Sequence, residues 1–476
     1  MTPLKRARLL PLLLLGCTLG ACMVGPSYQR PAAPITPTYK EAEGWAPANP
    51  SDAADRRDWW TVFDDATLDD LEQRVEVSNQ NLKAAEAAYR QAEALVSQQR
   101  AALFPTIGLT GSADRSGGGG SAIGSGGSQG RTGNSFRVGA SGSWEPDVWG
   151  RIRRTIENAK AGAQASAADL ANARLSAQTS LALDYIQLRQ LDAQKRLLDA
   201  TVDAYARSLT VTQNKYNAGV VARSDVLSAQ TQLINAQASN TDLVQQRARL
   251  EHAIAILTGR APAEVTIAPA DWTLKVPGIP AGVPSTLLER RPDIAAAERR
   301  AAAANAEIGV ATAAYFPSLT LTGQGGYASS ELGQLFSASS SFWSIGASVA
   351  ETVFDAGARK AQVRQARAAY DQAVATYRQA VLTGLGQVED NLAAQRVLAT
   401  EQTQRDAALA AATQNERIVA NQYNAGQVDY TAVVVAQTAA LGAQQTALQN
   451  QANQLAAAVD LISALGGGWT TAQGAK

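Results

Sequence analysis

The 476-residue sequence predicts a mainly α-helical fold with a small β-barrel part, arranged as two structural repeats, and three observations carry that expectation. The first is a proline-free, Ala/Leu/Gln-rich segment over residues 150–219 whose apolar residues keep a helical spacing throughout. As one helix it would reach about 100 Å, whereas globular helices average about 11–12 residues. The second is a duplication. Tyr216-Asn217-Ala218-Gly219 recurs as Tyr423-Asn424-Ala425-Gly426, and the same offset of 207 residues relates Gln230-Thr231 to Gln437-Thr438, Gln237 to Gln444 and Gly150 to Gly357. The third is a set of four short segments in which apolar and small polar residues alternate, the period of a strand with two unlike faces.

Taken in order, the chain opens with Lys5, Arg6 and Arg8, an apolar run over residues 9–15, and small residues up to Leu19-Gly20-Ala21-Cys22. Residues 1–21 read as an export signal, positively led and too short to span a membrane. Leu-Gly-Ala-Cys resembles a lipobox, which makes Cys22 the acylated first mature residue; the alternatives are Cys17, after the poorer match Leu14-Leu15-Gly16, or plain cleavage that leaves Cys22 an ordinary thiol. Met23, where inner-membrane lipoproteins often carry Asp, favours the outer membrane. Both cysteines lie in this leader, so the mature chain has no disulfide and no cysteine metal site.

Residues 22–63 hold Pro26, Pro31, Pro34, Pro37, Pro47 and Pro50 and should form an extended strap, fixed by Trp59-Trp60 and Phe63. A first repeat over residues 64–261 begins with a helix over 64–103, with Leu68, Leu71, Val75, Leu82 and Tyr89 along one side, stopped before Phe104-Pro105. Strands follow near 104–113 and 135–145, around a Gly/Ser-rich loop, and then a long helical hairpin turns at 216–221. Its seam places Leu181, Leu188, Val202, Leu209 and Tyr216 on a seven-residue spacing, with Leu191, Leu198 and Tyr205 offset by three, imperfect at Lys195 and Thr212. The hairpin closes at Leu257-Thr258-Gly259.

A proline-punctuated connector occupies residues 262–285, and a second repeat spans 286–467. It starts with a helix at Arg291-Pro292-Asp293, where Pro suits the first helical position and Asp the positive helix end. Strands near 316–326 and 341–351 and a hairpin turning at 423–428 complete it, and residues 468–476 are a tail.

The formal net charge of +0 gives no general pull on nucleic acid or acidic lipid, and no further run of about 20 apolar residues provides a helical membrane span. Strands of roughly 10 residues do have the length to cross a bilayer at a tilt. Phe136, Val138, Ala140 and Trp144 would meet lipid, Ser135, Arg137, Ser141 and Ser143 water, and Trp144, Trp343, Phe342, Phe104 and Phe316 would form an aromatic girdle. Four strands cannot stand open in lipid, so several chains must close the barrel. Two would give a barrel filled by its own side chains and three a wider one, so a conducting barrel favours the trimer. No constellation supports catalysis, a cofactor or a metal: His252 is the sole histidine, and Gly117 to Gly120 lack the lysine of a phosphate loop.

Cys22-Met23-Val24-Gly25-Pro26-Ser27-Tyr28, Leu287-Leu288-Glu289-Arg290-Arg291-Pro292-Asp293-Ile294, Glu307-Ile308-Gly309-Val310-Ala311, Tyr315-Phe316-Pro317-Ser318 and the two Tyr-Asn-Ala-Gly turns resemble the TolC-type outer-membrane factors, lipoprotein branch, often called the OprM/NodT type. The resemblance covers essentially the whole mature chain. It implies a homotrimeric channel-tunnel, lipid-anchored in the outer membrane and extending through the periplasm to a periplasmic adaptor protein and an inner-membrane exporter, commonly of the RND class. The expected function is a passive exit for drugs or other small molecules; the alternatives are the exit of a type I protein secretion system or a non-conducting coiled-coil lipoprotein that bridges the envelope.

The resemblance also implies roles for particular residues. Gly219, Val220, Val221, Gly426, Gln427 and Val428 would lie at the tips that contact the adaptor. The periplasmic gate should lie just after the second turn, where relatives often carry a Leu and an Asp and this chain has Thr431 and Val435. Asp429, Tyr430 and, in the first hairpin, Asp225 are further gate candidates.

Overall fold

The computed structural model describes residues 23–41, 58–117, 132–279 and 291–467. The expected export signal, the acylation candidate Cys22 and the C-terminal tail lie outside the described residues. Among those described, helices α1 (Ala66–Ser78), α2 (Gln80–Ala101), α3 (Arg151–Asn217), α4 (Arg223–Leu257), α5 (Pro292–Ala313), α6 (Ala358–Asn424) and α7 (Tyr430–Ala464) are joined by strands β1 (Thr106–Gly117), β2 (Thr132–Trp144), β3 (Ser318–Ser329) and β4 (Ser341–Ala350). The duplication is exact in length at its long helices: α3 and α6 each have 67 residues, α4 and α7 each 35.

Two compact units are distinguished, the first comprising residues 1–32, 89–166 and 297–377, the second 33–88, 167–296 and 378–476. In the first unit the four strands form one antiparallel sheet in the order β1-β2-β3-β4. The strands at its two edges, β1 and β4, are paired on one side only. Pairing of β1 with β2 runs on through Ser112↔Arg137 to Gly117↔Thr132, beyond the stretch of clear alternation, because backbone hydrogen bonding continues where the side chains turn polar.

The N-terminal strap is held in the same unit by its backbone. Arg154, 1% exposed, donates from Nε to Val24 O (3.0 Å) and from Nη2 to Gly25 O (3.0 Å), and Asn305 Nδ2 donates to Pro26 O (3.1 Å). Gly25 has φ +90°, and a Cβ there would stand 2.5 Å from Gly309 Cα. Two of the sequence motifs, Val24-Gly25-Pro26 and Ile308-Gly309-Val310, therefore meet with no room for a side chain.

The second unit has its core around Trp59, Trp60, Phe63, Leu68, Leu71, Leu181, Tyr185, Ile254 and Val459. The single helix expected over 64–103 is instead two. At Asn79 (φ −61°, ψ 124°) the backbone leaves the helix, and its Oδ1 accepts the N–H groups of Asn81 (2.9 Å) and Leu82 (3.1 Å), starting α2, while Nδ2 donates to Leu257 O (2.7 Å). A short polar side chain that competes with the backbone for hydrogen bonds explains the break. The connector is pinned by the buried Asp192 and Arg189 and the half-buried Arg247: Asp192 accepts from Arg189 (2.9 Å) and Arg247 (2.7 Å), which donate onward to Ala268 O and Ile267 O. On α1, Glu72 is fully buried with neither carboxyl oxygen hydrogen-bonded; burial first, and then the Asp69 carboxylate, push its pKa up to about 9.

Candidate functional site

Two parts of the chain hold the candidate functional residues, the strand faces in the first unit and the hairpin turns in the second. The register of the sheet decides what each strand face presents. On one face Ile107 pairs with Gly142, Leu109 with Ala140, Val138 with Tyr327, Trp144 with Leu321, Leu321 with Ala347, Gly323 with Ile345 and Leu319 with Val349. On the other face Thr106 pairs with Ser143, Ser112 with Arg137, Ser141 with Gln324, Gln324 with Ser344 and Thr320 with Ser348. In the lower part of the four strands the apolar residues thus gather on one face and the polar residues on the other, while Arg115 and Asn134 at the far end of β1 and β2 fall on the apolar side. That apolar face is open: Leu109 is 87% exposed, Ile345 82% and Trp343 79%.

With 12, 13, 12 and 10 residues the strands are long enough to cross a hydrocarbon layer at a tilt. Trp144 and Phe316 lie at the roots of β2 and β3, where Trp144 Nε1 donates to Leu103 O (2.9 Å) and Phe316 stacks on Trp149 (4.8 Å). Phe342 leaves the expected girdle. It neighbours Trp343 on one strand, so the two must face opposite ways, and Phe342 lies on the polar face under the Arg137 guanidinium (5.5 Å).

Each long helix ends in the same turn. Gly219 (φ +73°) and Gly426 (φ +75°) reverse the chain, with Val220 N donating to Lys215 O and Gln427 N to Gln422 O, both 2.9 Å, the six-to-one bond of a Schellman motif. Gly219, Val220, Gly426 and Gln427 are exposed, Val221 and Val428 half-buried. A Cβ at either glycine would meet nothing within 4 Å, so the positive φ alone selects glycine there.

Beside the turns the repeats cease to be equivalent. Tyr423 is 7% exposed, its counterpart Tyr216 39%. Tyr423 and Tyr430 meet edge to face (5.4 Å) in a small core with Ala229 and Val433. Lys215 Nζ donates to Tyr423 O (3.1 Å) and sits 3.8 Å from the Tyr423 ring centroid. The Tyr430 hydroxyl pairs with Ser208 Oγ (3.0 Å), and burial pushes its pKa up. Thr212, an imperfection in the seam by sequence, is fully buried facing the Tyr423 hydroxyl (3.5 Å). The second hairpin is thereby fastened to α3 of the first.

The gate candidates fall into different places. Asp429 is exposed but occupied in capping α7, its carboxylate accepting Ala432 N–H (3.0 Å), and Tyr430 is buried in the tyrosine cluster. Thr431 is exposed and Val435 is 64% exposed; Asp225 is half-buried in the first turn of α4. Sequence reasoning passed over Lys215, Ser208, Thr212 and Tyr423 as fasteners. Their signal was available only as a difference: at the 207-residue offset Lys215 corresponds to Gln422 and Thr212 to Val419. Among the described residues no group of three or more His, Cys, Asp or Glu side chains is placed to hold a metal, and His252 is exposed on α4.

The sequence pattern of the family described as outer membrane efflux protein matches residues 71–260 and, separately, 283–467. The chain is 31% identical over 465 residues to the toluene efflux pump outer membrane protein TtgC of Pseudomonas putida, covering 97% of this chain and 96% of that protein. It is also 31% identical over 462 residues to the pyoverdine export outer membrane protein OpmQ of Pseudomonas aeruginosa, covering 95% of each. Among solved structures, the outer-membrane channel OprN superposes with a TM-score of 0.87 at 31% identity, over 94% of this chain and 100% of that one.

Proposed function

We propose, from the premise that this chain belongs to the outer membrane efflux protein family, that it is the outer-membrane exit channel of a tripartite efflux system, a passive conduit for small molecules driven by an inner-membrane pump. The observation that carries this reading is the register of the sheet, which collects most apolar residues of the four strands on one exposed face and most polar residues on the other. A sheet with unpaired edges does not survive in lipid, so closure takes further copies of the chain, three of which make a barrel wide enough to conduct. The names of TtgC and OpmQ concern toluene and pyoverdine, which favours small molecules over secreted proteins as cargo.

The turns at Gly219, Val220, Val221, Gly426, Gln427 and Val428 are the adaptor-contact surface in this reading, and an RND-type exporter completes the assembly. Opening of the periplasmic end is controlled by release of Tyr423 and Tyr430 from α3, with Thr431 and Val435 exposed beside them. Acylation at Cys22 anchors the mature chain; incorporation of labelled palmitate, lost in Cys22→Ser, tests that part separately. The channel itself is tested by reconstituting the purified protein in planar bilayers and by complementing a strain that lacks its outer-membrane exit component. Discrete conductance steps together with restored drug tolerance are expected. A folded protein that inserts without conducting would leave only the envelope-bridging alternative.

A further inference from the structure

A cavity of about 710 Å³ in the first unit opens between the end of α2, the first turns of α3 and the face of α5. Its size is that of a ligand site, and its lining is uneven in charge. Four cations, Arg100, Arg153, Lys160 and Arg299, face one carboxylate, Glu157. Glu157 is engaged by Arg154 (2.7 Å), Arg153 is held by Asp147 (3.1 Å), and Arg299 is held by Glu298. Arg100 and Lys160, both exposed, have no ion pair among the described residues.

The rest of the lining points to the membrane. Met23, Leu103 and Phe104 supply apolar surface, and Phe104, 68% exposed, stands two residues before the start of β1. The same corner is tied to the end of β2, since Leu103 O accepts from Trp144 Nε1. Unmatched positive charge thus adjoins the root of a lipid-facing strand, where phosphate groups of the periplasm-facing leaflet lie in reach.

We propose that this cavity binds the phosphate of a membrane phospholipid headgroup, with Arg100 and Lys160 donating to the phosphate oxygens and the acyl chains lying along Phe104. A lysine and an arginine from two helices suit a phosphate, which accepts charge-assisted hydrogen bonds from several directions. The proposal rests on the strands crossing the membrane and not on acylation of Cys22.

Native mass spectrometry of the full-length protein, delipidated in mild detergent and titrated with phosphatidylglycerol, tests it. One tightly held lipid per chain is expected, weakened about tenfold or more in Arg100→Gln/Lys160→Gln and retained in Arg100→Lys. Diacylglycerol should not occupy the site, and inorganic phosphate in about hundredfold excess should not displace the lipid. Equal lipid binding by the wild type and the double variant overturns the proposal, as does binding of diacylglycerol as tight as that of phosphatidylglycerol. Inorganic phosphate binding as tightly as the lipid overturns the assignment to a membrane source. The same spectra report assembly, and planar-bilayer conductance of the double variant should equal wild type, so loss of the lipid site is distinguishable from failure of the channel reading.

Discussion

Replacing Lys215 by alanine should loosen the hold of the first hairpin on the second and raise the open fraction of the channel. The Lys215 ammonium makes two contacts with one residue, a hydrogen bond to Tyr423 O at 3.1 Å and an approach of 3.8 Å to the ring centroid. A charged hydrogen bond contributes about 1.5–3 kcal/mol and a cation–π contact about 0.5–2 kcal/mol, and Lys215 is only half-buried, which reduces both. A combined loss of about 2 kcal/mol shifts the population of released hairpins about 30-fold. Single-channel recording reads this directly as open probability. Lys215→Met, which keeps the aliphatic stem and removes the charge, should give most of the effect, and Tyr430→Phe, which removes only the hydroxyl bonded to Ser208, a change of about fivefold. Wild-type open probability in a folded Lys215→Ala channel would refute the fastening role.

Three further outcomes are expected. Gly219→Ala and Gly426→Ala add a Cβ to open space and cost about 1–2 kcal/mol of left-handed strain each, with export retained, whereas Gly219→Trp should leave assembled protein in the membrane and abolish export; export by that variant removes the tip contact. Glu72 keeps its proton in the folded state between its ordinary value and about 9, so its contribution to stability is present at acid pH and is lost by about 1.4 kcal/mol per unit as pH rises through that window. The melting temperature of the detergent-solubilised protein should fall from pH 5 to 9, and Glu72→Gln should flatten that profile. Finally, Tyr216, 39% exposed, has no such cradle among the described residues, while Val419 and Gln422 of the second repeat stand where Thr212 and Lys215 stand in the first. Tyr216→Cys with Gln422→Cys should therefore be joined by a short bismaleimide between chains, seen as a covalent ladder on a denaturing gel, and cross-linking confined to single chains would contradict ring closure.

Much of this architecture was legible because it rests on periodicity. The heptad residues Leu181, Leu188, Leu191 and Leu198 are buried, and the alternating segments became strands whose register lines up their apolar residues. What periodicity could not show was local competition for hydrogen bonds. Asn79 sits in a run of good helix pattern, yet its amide bonds Leu257 O and the next two free N–H groups, so the helix breaks there. The two Tyr-Asn-Ala-Gly turns read as equivalents, and their backbones are. Their side chains differ because Lys215, Thr212 and Ser208 give Tyr423 and Tyr430 a polar cradle, whereas Tyr216 has none among the described residues. Asp429 and Tyr430 stood out by position after the turn, but position alone did not tell that one is occupied as a helix cap and the other in packing.

In the proposed channel, four strands with one apolar face span the membrane only when several chains close them into a barrel. The most direct test of that closure is the mass of the particle extracted from outer membranes in mild detergent, corrected for bound detergent. Three chains per particle is expected; a particle of one chain, with both sheet edges open, would rule out a barrel closed by several copies.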